Sequence, residues 1–187
     1  FIENRSRPLS SVPEMTTGNR PADGGFLIIE GAEYADFIRK EPNAITYIKK
    51  LTGSSEFIND IPRYCLWLVS AKPNDLQHMP EVMRRIELCR KDRLNGAPDR
   101  QKLANTPMLF RETKNPETYI IIPSVSSEKR KYIPMGFLGK DTIPTNLAVI
   151  IPNAEIYHFG ILVSNVHMAW MRAVAGRLKS DYRYSKD

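Results

Sequence analysis

Across residues 119–138 two apolar runs enclose a polar insert, Ser126-Ser127-Glu128-Lys129-Arg130-Lys131. The first run holds Ile120, Ile121 and Ile122 in succession, without the alternation of a half-solvated strand, and so predicts a strand buried on both faces. The insert cannot follow it inside without taking Lys129, Arg130 and Lys131 out of water. Strand, exposed loop and strand are therefore expected, with the loop standing on a rigid support. Cations, hydroxyls and a carboxylate presented in this way suit phosphates and base edges. A solvated hairpin tip is the plain alternative.

The rest of the chain divides on the same criterion. Residues 26–30 read as a short strand, and residues 33–40 and 44–51 as two helices separated at Pro42, because Glu41 before that proline disfavours helix. Thr52-Gly53-Ser54-Ser55 punctuates, and residues 63–69 give a second buried strand. Over residues 80–93, Val82, Met83, Ile86 and Cys89 share one helical stripe, while Arg84, Arg85, Glu87, Arg90, Lys91 and Arg93 make a cationic outer side. A short helix over 99–104 and a strand from 108 to 110 follow, and residues 146–151 predict a last strand. Residues 155–176 are apolar on nearly every side, as expected of a helix in the core or against another domain, with Ser164 placed to cap a second helix after a break. The last stretch mixes cations with aromatics: Arg177, Lys179, Tyr182, Arg183 and Tyr184 follow the stop at Gly176. Such a mixture can grip a phosphate backbone, although an exposed tail reads the same way. The expected fold class is α/β (α+β), a mixed sheet with packed helices.

Length and charge narrow the picture. With 187 residues, 42% of them hydrophobic, the chain can bury a real core as one large domain or a domain with a small appendage. Lys and Arg outnumber Asp and Glu by 27 to 21, and the net charge of +6 favours an anionic partner. Residues 1–25, with three prolines and three glycines among polar residues, read as an irregular leading segment joining a preceding domain to the domain at 26–187. The start at Phe1 and the stop at Ser185-Lys186-Asp187 are expected of a part excised from a longer polypeptide. Cys65 and Cys89 have no thiol or histidine at ligand spacing and read as reduced core residues of a cytoplasmic protein. No stretch has the length of a membrane span.

Catalytic patterns are sparse. Pro98-Asp99 followed by Glu112-Thr113-Lys114 matches the loose set by which some nucleases hold a divalent metal, but both carboxylates fall on connections rather than rigid elements. His78, His158 and His167 are scattered, and no glycine-rich phosphate loop or nucleophile elbow occurs. A free-standing enzyme would need a pocket of convergent titratable groups that these motifs do not assemble.

Several ordered motifs together resemble a known family. Arg7-Pro8-Leu9-Ser10, Gly18-Asn19-x-Pro21-x-Asp23-Gly24-Gly25, Gly53-Ser54-x-Glu56-Phe57-Ile58-Asn59, Arg63-Tyr64-Cys65-Leu66-Trp67-Leu68, Pro123-x-Val125-Ser126-Ser127-Glu128-x-Arg130, His167-Met168-Ala169-Trp170-Met171-Arg172 and Gly176-Arg177-Leu178-Lys179-Ser180-Asp181-Tyr182-Arg183-Tyr184 look like the target-recognition region of the MmeI-like group. That group comprises single-chain Type II restriction and modification enzymes and their adenine-specific DNA methyltransferase relatives. The resemblance implies a domain that binds double-stranded DNA and selects the site to be methylated. It implies no cofactor in this chain, and S-adenosylmethionine and the catalytic motif in a preceding methyltransferase domain. Expected DNA contacts are Ser126, Ser127, Glu128, Lys129, Arg130 and Lys131, with Arg177, Lys179 and Arg183 on the backbone and Tyr182 and Tyr184 alongside. The alternative is a protein-interaction module in which the apolar helix near Trp170 and the leading segment dock on another domain.

Overall fold

Prolines and glycines cut this chain into short elements, and pairing between strands distant in sequence gathers them into three sheets. The computed structural model describes residues 11–185. Its first half contains β1 (Thr16–Thr17), β2 (Ile28–Glu30), α1 (Tyr34–Lys40), β3 (Ile48–Thr52), α2 (Ser54–Asn59), β4 (Arg63–Leu66), α3 (Pro73–Gln77), α4 (Pro80–Leu94) and α5 (Pro98–Lys102). The second half contains β5 (Thr118–Pro123), β6 (Val125–Ser126), β7 (Gly136–Gly139), β8 (Thr142–Pro144), β9 (Ala148–Pro152), α6 (Ile156–Leu162), α7 (Asn165–Val174), β10 (Gly176–Leu178) and β11 (Asp181–Arg183). The helices α3, α4 and α5 each open on a proline, whose fixed φ and missing N–H cost nothing in a first turn.

One sheet runs in the order β2-β4-β3-β8, antiparallel except for the parallel β3–β8 pair. Leu27, Ile29, Leu51, Cys65 and Leu66 pack there against Val82, Ile86 and Cys89 of α4. Trp67 and Phe110 close that core edge to face at 5.5 Å. The second sheet is antiparallel throughout, in the order β1-β9-β5-β7. Its central strand β5 is buried on both sides, as its unbroken isoleucines require. Ile120 and Ile122 face Met168 and Met171 of α7, whereas Tyr119 and Ile121 face Phe57 of α2. The third sheet, β10-β11-β6, lies beside the α7 side of the second.

The mixed sheets and packed helices are those expected, and the predicted strand, loop and strand over 119–138 is present as β5, the 127–135 connection and β7. Four expectations change. Residues 44–51 are not helical: a 3-10 turn ends at Tyr47 and Ile48–Thr52 is a strand hydrogen-bonded on both edges, so pairing overrides the helical pattern. Residues 108–110 form no strand; the Leu109 carbonyl accepts 2.6 Å from Arg93 Nη2 instead of joining a ladder. Arg93 is not on an outer cationic face but wholly buried, whereas Met83 is exposed. The strand expected at 146–151 is β9, which is not the last strand, since β10 and β11 follow α7; the apolar segment 155–176 is two helices, broken as expected at Ser164, whose Oγ accepts from His167 N at 3.1 Å. The Arg7-Pro8-Leu9-Ser10 motif lies outside the described residues. Both cysteines are free and buried, and burial raises both thiols, that of Cys89 to about 11. Among the described residues no helix is long and apolar enough to cross a membrane.

Candidate nucleic-acid interface

The two cationic stretches, some fifty residues apart in the chain, meet in the third sheet. β6 pairs antiparallel with β11, setting Ser126 opposite Tyr182 and Val125 opposite Arg183. β11 pairs in turn with β10 through the two-residue turn Lys179-Ser180. Tyr184 N extends the seam, donating to Ser124 O at 2.9 Å. The 127–131 loop and the β10–β11 hairpin therefore form one surface.

Two kinds of residue make it. Ser126 is 2% exposed, and Tyr182 and Tyr184 are also buried, so these three support the surface from below. The expectation that Ser126 stands outward is corrected: the end of the ladder draws it inside, and its hydroxyl finds no partner among the described residues. Tyr184 Oη lies 3.0 Å from His167 Nε2, tying the strand end to α7, and burial pushes its phenol up to about 12. Ser127 is half-buried and shapes the loop: its carbonyl accepts from Arg130 N at 3.1 Å and its Oγ from Lys129 N at 3.3 Å.

Glu128, Lys129, Arg130, Lys131, Arg177, Lys179 and Arg183 are exposed. Glu128 joins loop to hairpin: its Oε2 lies 3.7 Å from Arg177 Nη1, and its N–H donates to Asp181 Oδ1 at 3.3 Å. Arg177 is fixed again by stacking 3.9 Å over the Tyr182 ring and by donating to Ser180 O at 2.8 Å. The Lys131 carbonyl accepts from the Arg172 guanidinium, and Tyr132 Oη donates to Asn165 Oδ1 at 2.6 Å, so α7 holds the far end of the loop. Among the described residues Lys129, Arg130, Lys179 and Arg183 have no carboxylate partner. The arrangement is a braced platform with cations pointing to solvent, able to receive a polyanion without first breaking ion pairs.

The nuclease-like set does not converge in this way. Arg111 bridges both of its carboxylates, at 2.9 Å from Asp99 and 3.5 Å from Glu112. Lys114 Nζ turns away to Thr16 Oγ1 and Thr17 O, at 2.7 and 2.8 Å. Among the described residues no three His, Cys, Asp or Glu side chains are grouped to hold a metal ion. Sequence reading missed Arg172 and Asn165 as supports of the loop. Their helix was marked only by its apolar positions, and nothing local announces a hydrogen bond to residues 33 and 41 positions away.

Comparison with known proteins gives three concordant results. The family described as "MmeI, target recognition domain" matches residues 1–187. DNA methyltransferase A of Bacillus subtilis (strain 168) is 48% identical over 187 residues, which cover 99% of this chain and 21% of that protein. A solved structure of the Type IIL restriction-modification enzyme MmeI in complex with DNA superposes with a TM-score of 0.92 at 40% identity, covering 97% of this chain and 24% of that one. The chain thus spans about a fifth to a quarter of the length of these relatives.

Proposed function

The chain belongs to the MmeI target recognition domain family, and from that premise we propose that it binds duplex DNA and selects the sequence at which a longer adenine-specific methyltransferase acts. The observation that carries this reading is the merging of residues 127–131 and 177–183 on one braced surface, where Lys129, Arg130, Lys179 and Arg183 lack carboxylate partners among the described residues. Arg130 and its neighbours Lys129 and Lys131 are exposed on the loop between β6 and β7, and they take the base edges or the nearest phosphates. A guanidinium bidentate on guanine supplies roughly 1–3 kcal/mol of discrimination. Glu128 holds Arg177 and stands beside the readers, where it can accept from a cytosine amine. Arg177, Lys179 and Arg183 hold the phosphate backbone, while Tyr182 and Tyr184 keep the hairpin in place from beneath.

Residues 1–25 then join a preceding methyltransferase domain to the recognition domain at 26–187, stitched to it by the pairing of Thr16–Thr17 with β9. S-adenosylmethionine and the methyl-transfer chemistry belong to that preceding domain. The parent is read as a restriction-modification enzyme, and the relatives named above support this.

Two substitutions in the full-length parent test the assignment. Methylated adenines are mapped by sequencing DNA from cells that express each variant. Arg130→Ala is expected to relax or change one position of the methylated sequence. Arg183→Ala is expected to keep the sequence, weaken binding at every site and reduce the slope of log affinity against log salt by about 1. An Arg130→Ala enzyme with unaltered target and rate removes Arg130 from the base-reading set.

A further inference from the structure

The outer face of α7 carries the opposite of what water selects. Val166, Ala169, Trp170, Ala173 and Val174 recur at helical spacing along one stripe, and all five are exposed. Val166 is 80% and Trp170 53% exposed, although the helix already buries Met168 and Met171 on its other side. Ile156, Tyr157 and Ile161 of α6, which packs on α7, are exposed as well, as is Leu178 of β10. Stretches of this kind on a free monomer mark an interface, and a central tryptophan is its usual anchor.

We propose that this stripe is the docking surface for the methyltransferase domain of the same long polypeptide, an inference that rests on the reading given above. DNA does not fit as the occupant. The stripe itself holds no cation, and the guanidinium of Arg172, the one charged residue of α7, donates to the Lys131 carbonyl. A second copy would bring another net charge of +6 against the first. The relatives, by contrast, are four to five times longer than this chain. A surface tethered in the same polypeptide meets the stripe at millimolar effective concentration and covers it permanently. The stripe also adjoins the proposed reading loop through the Asn165–Tyr132 and Arg172–Lys131 hydrogen bonds. Docking on α7 therefore sets where that loop stands relative to the methyl-transferring site.

Hydroxyl-radical footprinting of the DNA-free, full-length parent, read residue by residue by mass spectrometry, tests the proposal. With each rate divided by the intrinsic reactivity of its side chain, Trp170, Val166 and Ile161 are expected to be much better protected than Leu94 and Met83, which are about as exposed as Trp170 in this structure and serve as internal references. In the same full-length protein, Val166→Glu with Trp170→Glu is expected to slow methylation roughly tenfold or more without changing the target sequence, and Trp170→Phe to restore most of the rate. A normalised labelling rate for Trp170 equal to that of Leu94 overturns the proposal. So does protection that appears only with DNA, protection that grows with protein concentration, or a doubly charged variant that methylates at the unmodified rate. None of these outcomes touches the recognition reading, which is tested separately by Arg130→Ala and Arg183→Ala.

Discussion

Arg93 carries a full charge with no exposed surface, and backbone carbonyls accept from every nitrogen of its guanidinium. Pro21, Ala22, Leu103, Thr106 and Leu109 supply those carbonyls, so one side chain gathers the segment before β2, the turn after α5 and the run toward Phe110. Five donors in a fixed fork suit this task, and the three of a lysine do not. Arg93→Met is expected to destabilise the protein by roughly 3–5 kcal/mol, and Arg93→Lys to recover little of it, both read from denaturant unfolding. A loss below about 1 kcal/mol would mean that the carbonyls find water instead. The position was legible after all: Val82, Ile86, Cys89 and Arg93 follow one another at helical spacing, and only the expectation that arginine is solvated hid it. Lys179 shows the reverse case, a residue whose chemistry was plain and whose backbone was not. It sits at φ 57° at the tip of the β10–β11 turn, a left-handed conformation that a lysine adopts at a cost of about 1–2 kcal/mol. Lys179→Gly is expected to leave stability equal or up to about 1 kcal/mol higher while weakening DNA binding and its salt dependence. Stability and affinity falling together would show that the lysine holds the turn rather than a phosphate.

At the scale of elements, the strands with the strongest local signal were readable and the paired ones were not. Ile120, Ile121 and Ile122 admit no solvated face, and β5 is central and buried as that run demands. Ile48–Thr52 carries two lysines, and its strand character comes from neighbours: Lys49 stands opposite Cys65 in β4, and Lys50 lies between Tyr64 and Thr142. The meeting of β6 with β11 is of the same kind, since neither two-residue nor three-residue strand has a pattern of its own. What holds that hairpin to α7 includes the contact between Tyr184 and His167. Burial keeps the His167 imidazole below its ordinary value of 6.5, so the folded protein favours the neutral ring. The sign follows from the protons bound: on acidification the unfolded chain takes up a proton near 6.5 that the folded one resists. This contribution to stability is full above that pH and is lost as pH falls through the depressed folded value. Hydrogen exchange of the Tyr182 and Tyr184 amides is expected to quicken as pH is lowered below about 6.5, after correction for the intrinsic rate, and His167→Gln to flatten that dependence. Identical corrected profiles for the two proteins would exclude His167 as the titrating group.

Across the whole molecule the proposed reading surface and the α4 core belong to different sheets, and a short seam joins them. β8 leaves β7 and enters the other sheet as the parallel partner of β3, while Tyr119 Oη donates to Thr142 O at 2.6 Å across the gap. Asn19 lies at the middle of the seam, wholly buried. Its Nδ2 donates to Lys114 O at 2.8 Å and Pro144 O at 3.1 Å, and its Oδ1 accepts from Lys114 N at 2.7 Å. The chain approaches so closely there that a Cβ on the preceding Gly18 would stand 2.3 Å from Thr145 O. None of this was visible from the polar residues of the leading segment, because an asparagine after a glycine reads as a turn until its distant partners are known. Removing the Asn19 side chain leaves the Lys114 N–H without an acceptor inside the protein and opens a small void, which together cost roughly 2–4 kcal/mol. For a chain of this length each kcal/mol lowers Tm by about 2–4 °C, so Asn19→Ala is expected to melt roughly 4–16 °C below the unmodified chain. In the full-length parent the same substitution is expected to leave the sequence of methylated sites unchanged, because Asn19 is wholly buried and lies outside the proposed reading surface. That separates it from Arg130→Ala, which on the proposed reading alters the sequence and barely moves Tm. If Asn19→Ala instead shifted which adenines are methylated, the seam would have to set the angle of the reading surface as well as its stability, and specificity would belong to the relation between the two sheets rather than to the loop alone.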